Sequence, residues 1–322
     1  CLTWGVYAMD TFLATLNPML VMFTCIIIGF VLKKAGVAPE NTGTVLSKVE
    51  NYVFMPAQVM VTFMNYCTVQ SLVDNSRFVL YSLLCLAVSL LLGIPLGNLF
   101  SRDGKNRGIY RYALVFANFG FLGNALIPQM LGEEYLYPYL LFTLPINTLA
   151  FTWGMGEMIP GEGKKENPLK RLLNPVLVGL GIGAILGLSG IAKLLPAFLT
   201  TALHNLSGCM GPLAMILTGF IIGGYNIKEL LLNKKVIAMT ALRLTVLPAL
   251  ILAVVWLCGG DKIVMTMVLV GFGAALGLNT TVIPAAYGRD TKPGASMAMI
   301  SHACAVITLP VMYALLTYLL KG

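Results

Sequence analysis

Long apolar runs separated by short polar segments are the main pattern of this chain. A helix rises about 1.5 Å per residue, so a run of about 20 apolar residues crosses the ~30 Å hydrocarbon core of a bilayer. None of the runs shows the strict alternation that a strand of a membrane barrel requires. The pattern therefore predicts an all-α membrane protein with ten transmembrane helices. The predicted helices cover residues 12–32, 44–65, 77–100, 110–131, 135–156, 171–188, 196–223, 235–258, 263–287 and 294–320.

The composition excludes an ordinary water-soluble domain. Hydrophobic residues make up 58% of the 322 positions and charged residues only 11%, which is less than half the usual charged share of about 25%. The net charge of +8 does not indicate nucleic acid, because the basic residues sit in short loops rather than on one surface. Seven cysteines without C-x-x-C spacing predict neither a metal site nor a disulfide framework, and no cofactor is expected. No cleavable signal peptide is visible before the first predicted helix.

The basic residues also indicate the topology, because short cytoplasmic loops retain Lys and Arg. Sixteen of the 21 basic residues fall in one set of alternate loops, four fall in the other, and Arg243 lies inside predicted helix 8. A missed helix would destroy this separation. We therefore expect ten crossings of the inner cell membrane with both termini outside. The sixteen are Lys33, Lys34, Lys48, Arg102, Lys105, Arg107, Arg111, Lys164, Lys165, Lys170, Arg171, Lys228, Lys234, Lys235, Arg289 and Lys292, and the four are Arg77, Lys193, Lys262 and Lys321.

The two halves of the chain resemble each other. Residues 16–21 (LNPMLV) recur at 173–178 (LNPVLV), and Pro56 and Ile127-Pro128 match Pro212 and Ile283-Pro284 at nearly the same offset. A repeat of five helices is odd in number, so its second copy enters the membrane from the opposite side, as in many secondary transporters. The sequence predicts a first repeat at 1–156, a cytoplasmic linker at 157–169 and an inverted repeat at 170–322.

Predicted helices 4 and 9 contain the densest sets of helix-breaking residues, at 118–128 and 271–284. Pro128 and Pro284 each remove a bond to the carbonyl four residues earlier, which belongs to Asn124 and to Thr280. Backbone groups freed inside a bilayer need protein or a water-filled cavity as partners. Half-helix N-termini supply positive dipole ends that favour an anion.

We therefore predict a binding site at mid-membrane, in which neutral side chains hold a carboxylate without a permanently buried charge. Its residues are Asn124, Asn279, Thr280 and Thr281 with the breaks at Pro128 and Pro284. The alternative is that both helices only carry packing kinks, because Gly and Pro are common in membrane helices.

Five further polar residues each have two interpretations. Asn118 and Asn147 line the site or satisfy a neighbouring backbone. Arg243 neutralises a substrate charge or braces helix 8. His302 couples proton movement to transport or is a buried structural group. For Glu50 we expect an ion pair on the cytoplasmic side, with proton coupling as the alternative.

The chain resembles the auxin efflux carrier family, and in particular the prokaryotic permeases related to plant auxin transporters. This resemblance implies a scaffold of helices 1, 2, 6 and 7, a transport domain of helices 3–5 and 8–10, helices 4 and 9 crossing at their prolines, and an elevator-type movement. His302 departs from the residue type that the family leads us to expect. The matching segments are Tyr52-Val53-Phe54-Met55-Pro56, Asn118-Phe119-Gly120-Phe121-Leu122-Gly123 with Pro128, Gly132-Glu133-Glu134, Asn174-Pro175, Arg243 with Pro248, and Ser301 with Thr308-Leu309-Pro310.

Three functions compete: an organic-anion carrier, a cation exchanger and a non-transporting sensor or enzyme. No carboxylate lies near Pro128 or Pro284, which argues against an exchanger of sodium and protons. Enzyme motifs such as H-E-x-x-H and G-x-S-x-G are missing. We expect a carrier of a small carboxylate in the lipid bilayer, with H+ or Na+ as the candidate coupling ion. A sodium-coupled symporter and a sensor remain the alternatives, and a homodimer through scaffold helices 2 and 7 remains open.

Overall fold

The computed structural model describes residues 2–101, 106–159, 175–226, 234–286 and 289–320, and within these residues it is helical with no strand. Most of the predicted linker 157–169 lies outside this part, as do Asn174 and the start of predicted helix 6. The helices of the first half are α1, Leu2–Lys34; α2, Thr42–Val49 and Met55–Tyr66 joined by the π-helical turn Glu50–Phe54; α3, Val69–Phe100; α4, Arg107–Val115, then the π-helical turn Phe119–Gly123 and Asn124–Leu131; and α5, Leu136–Leu149, the π-helical turn Ala150–Gly154 and Met155–Met158.

The second half continues the same pattern. Its helices are α6, Pro175–Ser189; α7, Ala197–Gly223; α8, Lys234–Ala241 and Leu247–Leu257 joined by the π-helical turn Leu242–Val246; α9, Lys262–Gly273 and Asn279–Ala286; and α10, Lys292–Leu319.

Six of the described helices are long and apolar enough to cross a bilayer, and α6 and the first part of α9 are shorter apolar helices. The prediction of an all-helical, multi-pass membrane protein is confirmed. The count of ten crossings and the inverted relation of the halves remain predictions. The six long spans are Thr15–Lys34, Val69–Phe100, Arg107–Leu131, Ala197–Gly223, Lys234–Leu257 and Lys292–Leu319.

Helix α3 begins eight residues before its predicted start at 77, because a capping box fixes its N-terminus. The Thr68 hydroxyl accepts from Ser71 N at 3.0 Å, and Ser71 Oγ accepts from Thr68 N at 2.8 Å. Arg77 is therefore a helical residue rather than a loop residue, and it pairs with Asp261 at 2.7 Å. Helix α1 likewise begins at Leu2, ten residues before its predicted start at 12.

Small residues allow close approach of two helix pairs. In the contact of α1 with α7, a Cβ added to Gly29 would lie 1.9 Å from Ile216 O. In the contact of α6 with α2, a Cβ added to Gly179 would lie 2.6 Å from Pro56 O. These pairs are equivalent in the predicted repeat, in which helices 1 and 2 match helices 6 and 7. Helix α3 instead packs against α4 and α5.

Candidate functional site

The two broken helices meet at their breaks, in the interior of the protein. Phe116 is extended with φ −113° and ψ 137°, and Ala274 is extended with φ −62° and ψ 162°. Asn118 N then donates to Ala275 O at 2.7 Å, which joins the two chains directly. The expectation of a crossing at the prolines was wrong, since Pro128 and Pro284 lie inside the second half-helices.

Two side chains satisfy carbonyls at the end of the first half-helix of α4. Ser89 of α3 donates to Val115 O at 2.9 Å. Arg243 of α8 donates from Nε to Ala113 O at 2.9 Å. Buried carbonyls without donors are costly, so these contacts allow the helix to stop inside the protein.

Arg243 also donates from Nη1 to Phe272 O, at the end of the first half-helix of α9. One guanidinium therefore joins the C-terminal ends of the first half-helices of α4 and α9, where the helix dipoles are negative. Arg243 is only 1% exposed and does not line the cleft beside the crossing. Of the two interpretations of Arg243, the structure favours the bracing of helices.

A cleft of about 230 Å³ lies beside the crossing, between α2, α4, α5, α6 and α9. We call it the crossover cleft. Three predicted site residues line it, Asn118, Asn147 and Asn279, and Asn51 adds a fourth amide. None of its lining residues carries a charge. The full lining is Asn51, Tyr52, Met55, Ala117, Asn118, Phe119, Gly120, Phe121, Asn147, Thr148, Phe151, Pro175, Val176, Leu177, Gly277, Leu278 and Asn279.

Other buried side chains position the polar residues of this cleft. Asn279 Nδ2 donates to the Tyr112 hydroxyl oxygen at 3.0 Å. Asn118 Nδ2 lies 3.5 Å from His302 Nε2. The Tyr139 hydroxyl donates to Phe119 O at 2.9 Å, at the start of the second half-helix of α4. Tyr112 and Tyr139 were not predicted, because no local sequence pattern separates them from other membrane tyrosines.

The structure places Thr280 and Thr281 outside the lining of the crossover cleft. Thr280 is buried, and its hydroxyl donates to Gly277 O at 3.0 Å. Pro284 has no N–H that could bond the carbonyl of Thr280. This carbonyl packs against Gly294 at the start of α10, and a Cβ added to Gly294 would lie 2.0 Å from Thr280 O. Thr281 lines a neighbouring cleft of about 580 Å³ that contains Lys33 and Lys48.

Asn124 and Pro128 line a different cleft, of about 600 Å³, together with Gln58, Glu133 and His204. We call it the opposite cleft. The repeat-equivalent region of α9 does not border it, because Asn279 lines the crossover cleft and Thr280 lines neither. The structure therefore does not bring Asn124 and Asn279 together around one cavity.

Glu50 does not form the expected ion pair within the described residues. Its side chain is 1% exposed, and Oε1 has no hydrogen-bond partner there. The reason is local: Glu50 opens the π-helical turn of α2, which packs against α7 and α6, and the described parts of those helices bring no Lys or Arg to this level.

The fold and this site define a class of protein. Several membrane-spanning helices, with two broken helices that cross beside a cleft lined in part by asparagines, are typical of membrane transporters. A family model described as membrane transport protein matches residues 14–313. The chain therefore belongs to this family of auxin efflux carrier-like membrane proteins, as its motifs indicated, and it is a transporter rather than an enzyme.

A curated relative supports the same class. An uncharacterized transporter of Methanocaldococcus jannaschii is 23% identical over 211 residues, which cover 63% of this chain and 68% of the relative.

Proposed function

We propose that this protein is a secondary transporter that moves a small carboxylate across the cell membrane through the crossover cleft. The observation that carries the proposal is the meeting of two half-helix N-termini at one cleft. The half-helix of α4 begins at Phe119 and that of α9 at Asn279, and both residues line the crossover cleft.

Helix N-termini attract anions because their first N–H groups have no partner within the helix and the dipole end is positive. Asn51, Asn118, Asn147 and Asn279 surround these ends with amides. A carboxylate bound there gains donors without a buried Lys or Arg, whose charge would have to be neutralised whenever the site is empty. This arrangement suits a site that must release its ligand on each cycle.

The dimensions of the cleft indicate the substrate class. Pockets for drug-sized ligands measure about 300–1,000 Å³, and the crossover cleft at about 230 Å³ is smaller. A short carboxylate is therefore the better match. A neighbouring cleft of about 390 Å³ shares Asn51, Tyr52 and Asn279 with it and is also lined by Lys48, which offers an anion an attractive approach from the basic side.

The proposal includes ten crossings, two inverted repeats and both termini outside the inner membrane. Lys48, which lines the neighbouring cleft, belongs to the basic set that we predict to be cytoplasmic, so in this proposal the crossover cleft opens toward the cytoplasm. The opposite cleft, with Glu133 and His204, then faces outward. Elevator-type movement of helices 3–5 and 8–10 along helices 1, 2, 6 and 7 would change which side reaches the site.

The test is carboxylate-driven current from purified protein in liposomes on a supported membrane. Acetate, malonate, malate and indole-3-acetate form the panel, each measured with and without sodium or a pH gradient. Asn279→Ala removes an amide donor to a charged ligand, so we expect the half-saturating concentration to rise about ten- to a hundredfold.

The matched control is Asn205→Ala, since Asn205 is exposed on α7 and lines neither named cleft. Unchanged carboxylate affinity in folded Asn279→Ala protein would refute the site. If wild-type protein gave neither current nor thermal stabilisation with any member of the panel, the function itself would be refuted.

A further inference from the structure

The histidine beside the crossing has a defined tautomer. His302 is buried in α10, and its Nδ1 lies 2.8 Å from Ala298 O. A carbonyl oxygen can only accept, so Nδ1 carries a hydrogen. In a neutral imidazole the other nitrogen, Nε2, is then an acceptor. Asn118 presents its amide Nδ2 to Nε2 at 3.5 Å, as that tautomer requires.

This tautomer determines which end of the Asn118 amide is held. Asn118 lines the crossover cleft, and its Nδ2 is directed to His302. His302 leaves two groups of this amide unheld, the acceptor Oδ1 and the second hydrogen of Nδ2. An acceptor oxygen beside the site disfavours a carboxylate, because both groups carry negative charge density and neither has a hydrogen to donate.

We propose that His302 binds the proton of a proton–carboxylate symport and that Asn118 transmits its protonation state to the cleft. The inference rests on the proposed function. When Nε2 takes up a proton it can only donate, so Asn118 must turn its amide and accept with Oδ1. Oδ1 is then withdrawn from the cleft, and both hydrogens of the NH2 group are free to donate to the carboxylate. Proton and anion therefore bind together and leave together.

The surroundings of His302 favour this coupling. Its small cavity is lined by Met19, Met22, Phe23, Ile26, Leu122, Ala305 and Val306, which do not titrate. Among the described side chains of the elements packed against α10, the titratable ones away from the helix ends are Cys25 of α1, Tyr110, Arg111 and Tyr112 of α4, His204 and Cys209 of α7 and Arg243 of α8. Arg111 forms an ion pair with Glu157 of α5.

None of these groups is a carboxylate, and Arg243 is already engaged with Ala113 O and Phe272 O. The counter-charge for a protonated His302 must therefore come from the cleft, and a bound carboxylate supplies it. The proton reaches Nε2 from cleft water when the Asn118 side chain turns. It returns to water on the other side when the anion leaves.

The test measures proton uptake on anion binding. Full-length purified protein in detergent is titrated with malonate by calorimetry, in two buffers of equal pH and different ionisation enthalpy. Acetate and malate are run alongside. For wild type we expect uptake of about one proton per anion. The malonate affinity should then fall by up to about tenfold for each unit by which the pH rises through the range where imidazoles titrate.

Three variants locate the coupling. His302→Gln should bind malonate with no proton uptake and no dependence on pH between about 6 and 8. Asn118→Ala should bind more weakly, with the pH dependence lost. His204→Gln changes the second histidine of the chain, which lines the opposite cleft, and it should take up protons as wild type does.

The outcomes separate the two proposals. Malonate binding by wild type without proton uptake would overturn the role of His302 while the carrier function stands. Undiminished uptake in His302→Gln would do the same, and so would loss of uptake in His204→Gln. Failure of folded wild-type protein to bind any of the carboxylates would overturn both proposals.

Discussion

Removing the guanidinium of Arg243 should weaken the contact between the first half-helices of α4 and α9. In Arg243→Met, Ala113 O and Phe272 O both lose their donor while they remain inside the protein. An orphaned buried acceptor costs about 1–3 kcal/mol, so the two carbonyls together should cost about 2–6 kcal/mol. Relief of the buried charge offsets part of this cost. We therefore expect a net loss of about 3 kcal/mol in the free energy of unfolding.

Arg243→Lys should fall between wild type and Arg243→Met. An ammonium keeps the charge but is compact, whereas the planar guanidinium presents several donors in a fixed fork. Lysine can therefore serve one of the two carbonyls well but not both. The assay is reversible denaturant unfolding in micelles, followed by far-UV circular dichroism and accompanied by liposome uptake.

The matched control is Arg77→Met, because Arg77 makes an exposed pair with Asp261 at 2.7 Å. Exposed pairs contribute about 0–1 kcal/mol, so this variant should stay close to wild type. Equal stability of Arg243→Met and Arg77→Met would refute the bracing role. If Arg243→Lys kept full stability but raised the half-saturating carboxylate concentration, Arg243 would instead be a substrate contact.

Two further substitutions test the buried neighbours of the crossing. Glu50→Gln replaces a buried carboxylate, which has no ion pair in the described residues, by an amide of the same shape. The melting temperature should therefore stay the same or rise. A clear fall would indicate a partner that stabilises the charge of Glu50. Gly294→Ala would place a methyl group 2.0 Å from Thr280 O, so it should lower both the melting temperature and carboxylate uptake. In the control Gly156→Ala, the new methyl group meets no atom within 4 Å. Its free energy of unfolding should rise by up to about 1 kcal/mol, because alanine has the higher helix propensity. If Gly294→Ala behaved like Gly156→Ala, the close packing of α10 on α9 would not matter for either property.

The helices were predictable because a backbone inside a bilayer must form its N–H and C=O hydrogen bonds within the protein. A helix that crosses the bilayer therefore appears in the sequence as a long apolar run. The Asn, Gly and Pro content of 118–128 and 271–284 also identified the two helices that break. The position of each break was not predictable from the prolines. Pro128 and Pro284 remain inside helical segments, while the chain breaks where distant partners take up the freed groups.

Those partners lie far away in sequence. Arg243 serves Ala113 O, 130 residues away, and Ser301 accepts from Leu276 N at 2.9 Å, 25 residues away. A single sequence contains the residue types for such contacts but not their pairing. The same reasoning explains why the sequence left both interpretations of Arg243 open.

The different positions of Asn124 and Asn279 follow from the arrangement of the two halves. In the predicted repeat, the contact of α10 with α1 corresponds to that of α5 with α6. The structure packs α1 against α10, whereas the crossover cleft lies between Asn147 of α5 and Pro175 of α6. One seam between the halves is closed and its counterpart is open. If the two halves are inverted repeats, identical conformations would open equally to both sides of the membrane, so the alternating access that we propose requires such a difference. Because the two seams differ, Asn279 beside the open seam lines the crossover cleft in this conformation, whereas Asn124 lines the opposite cleft.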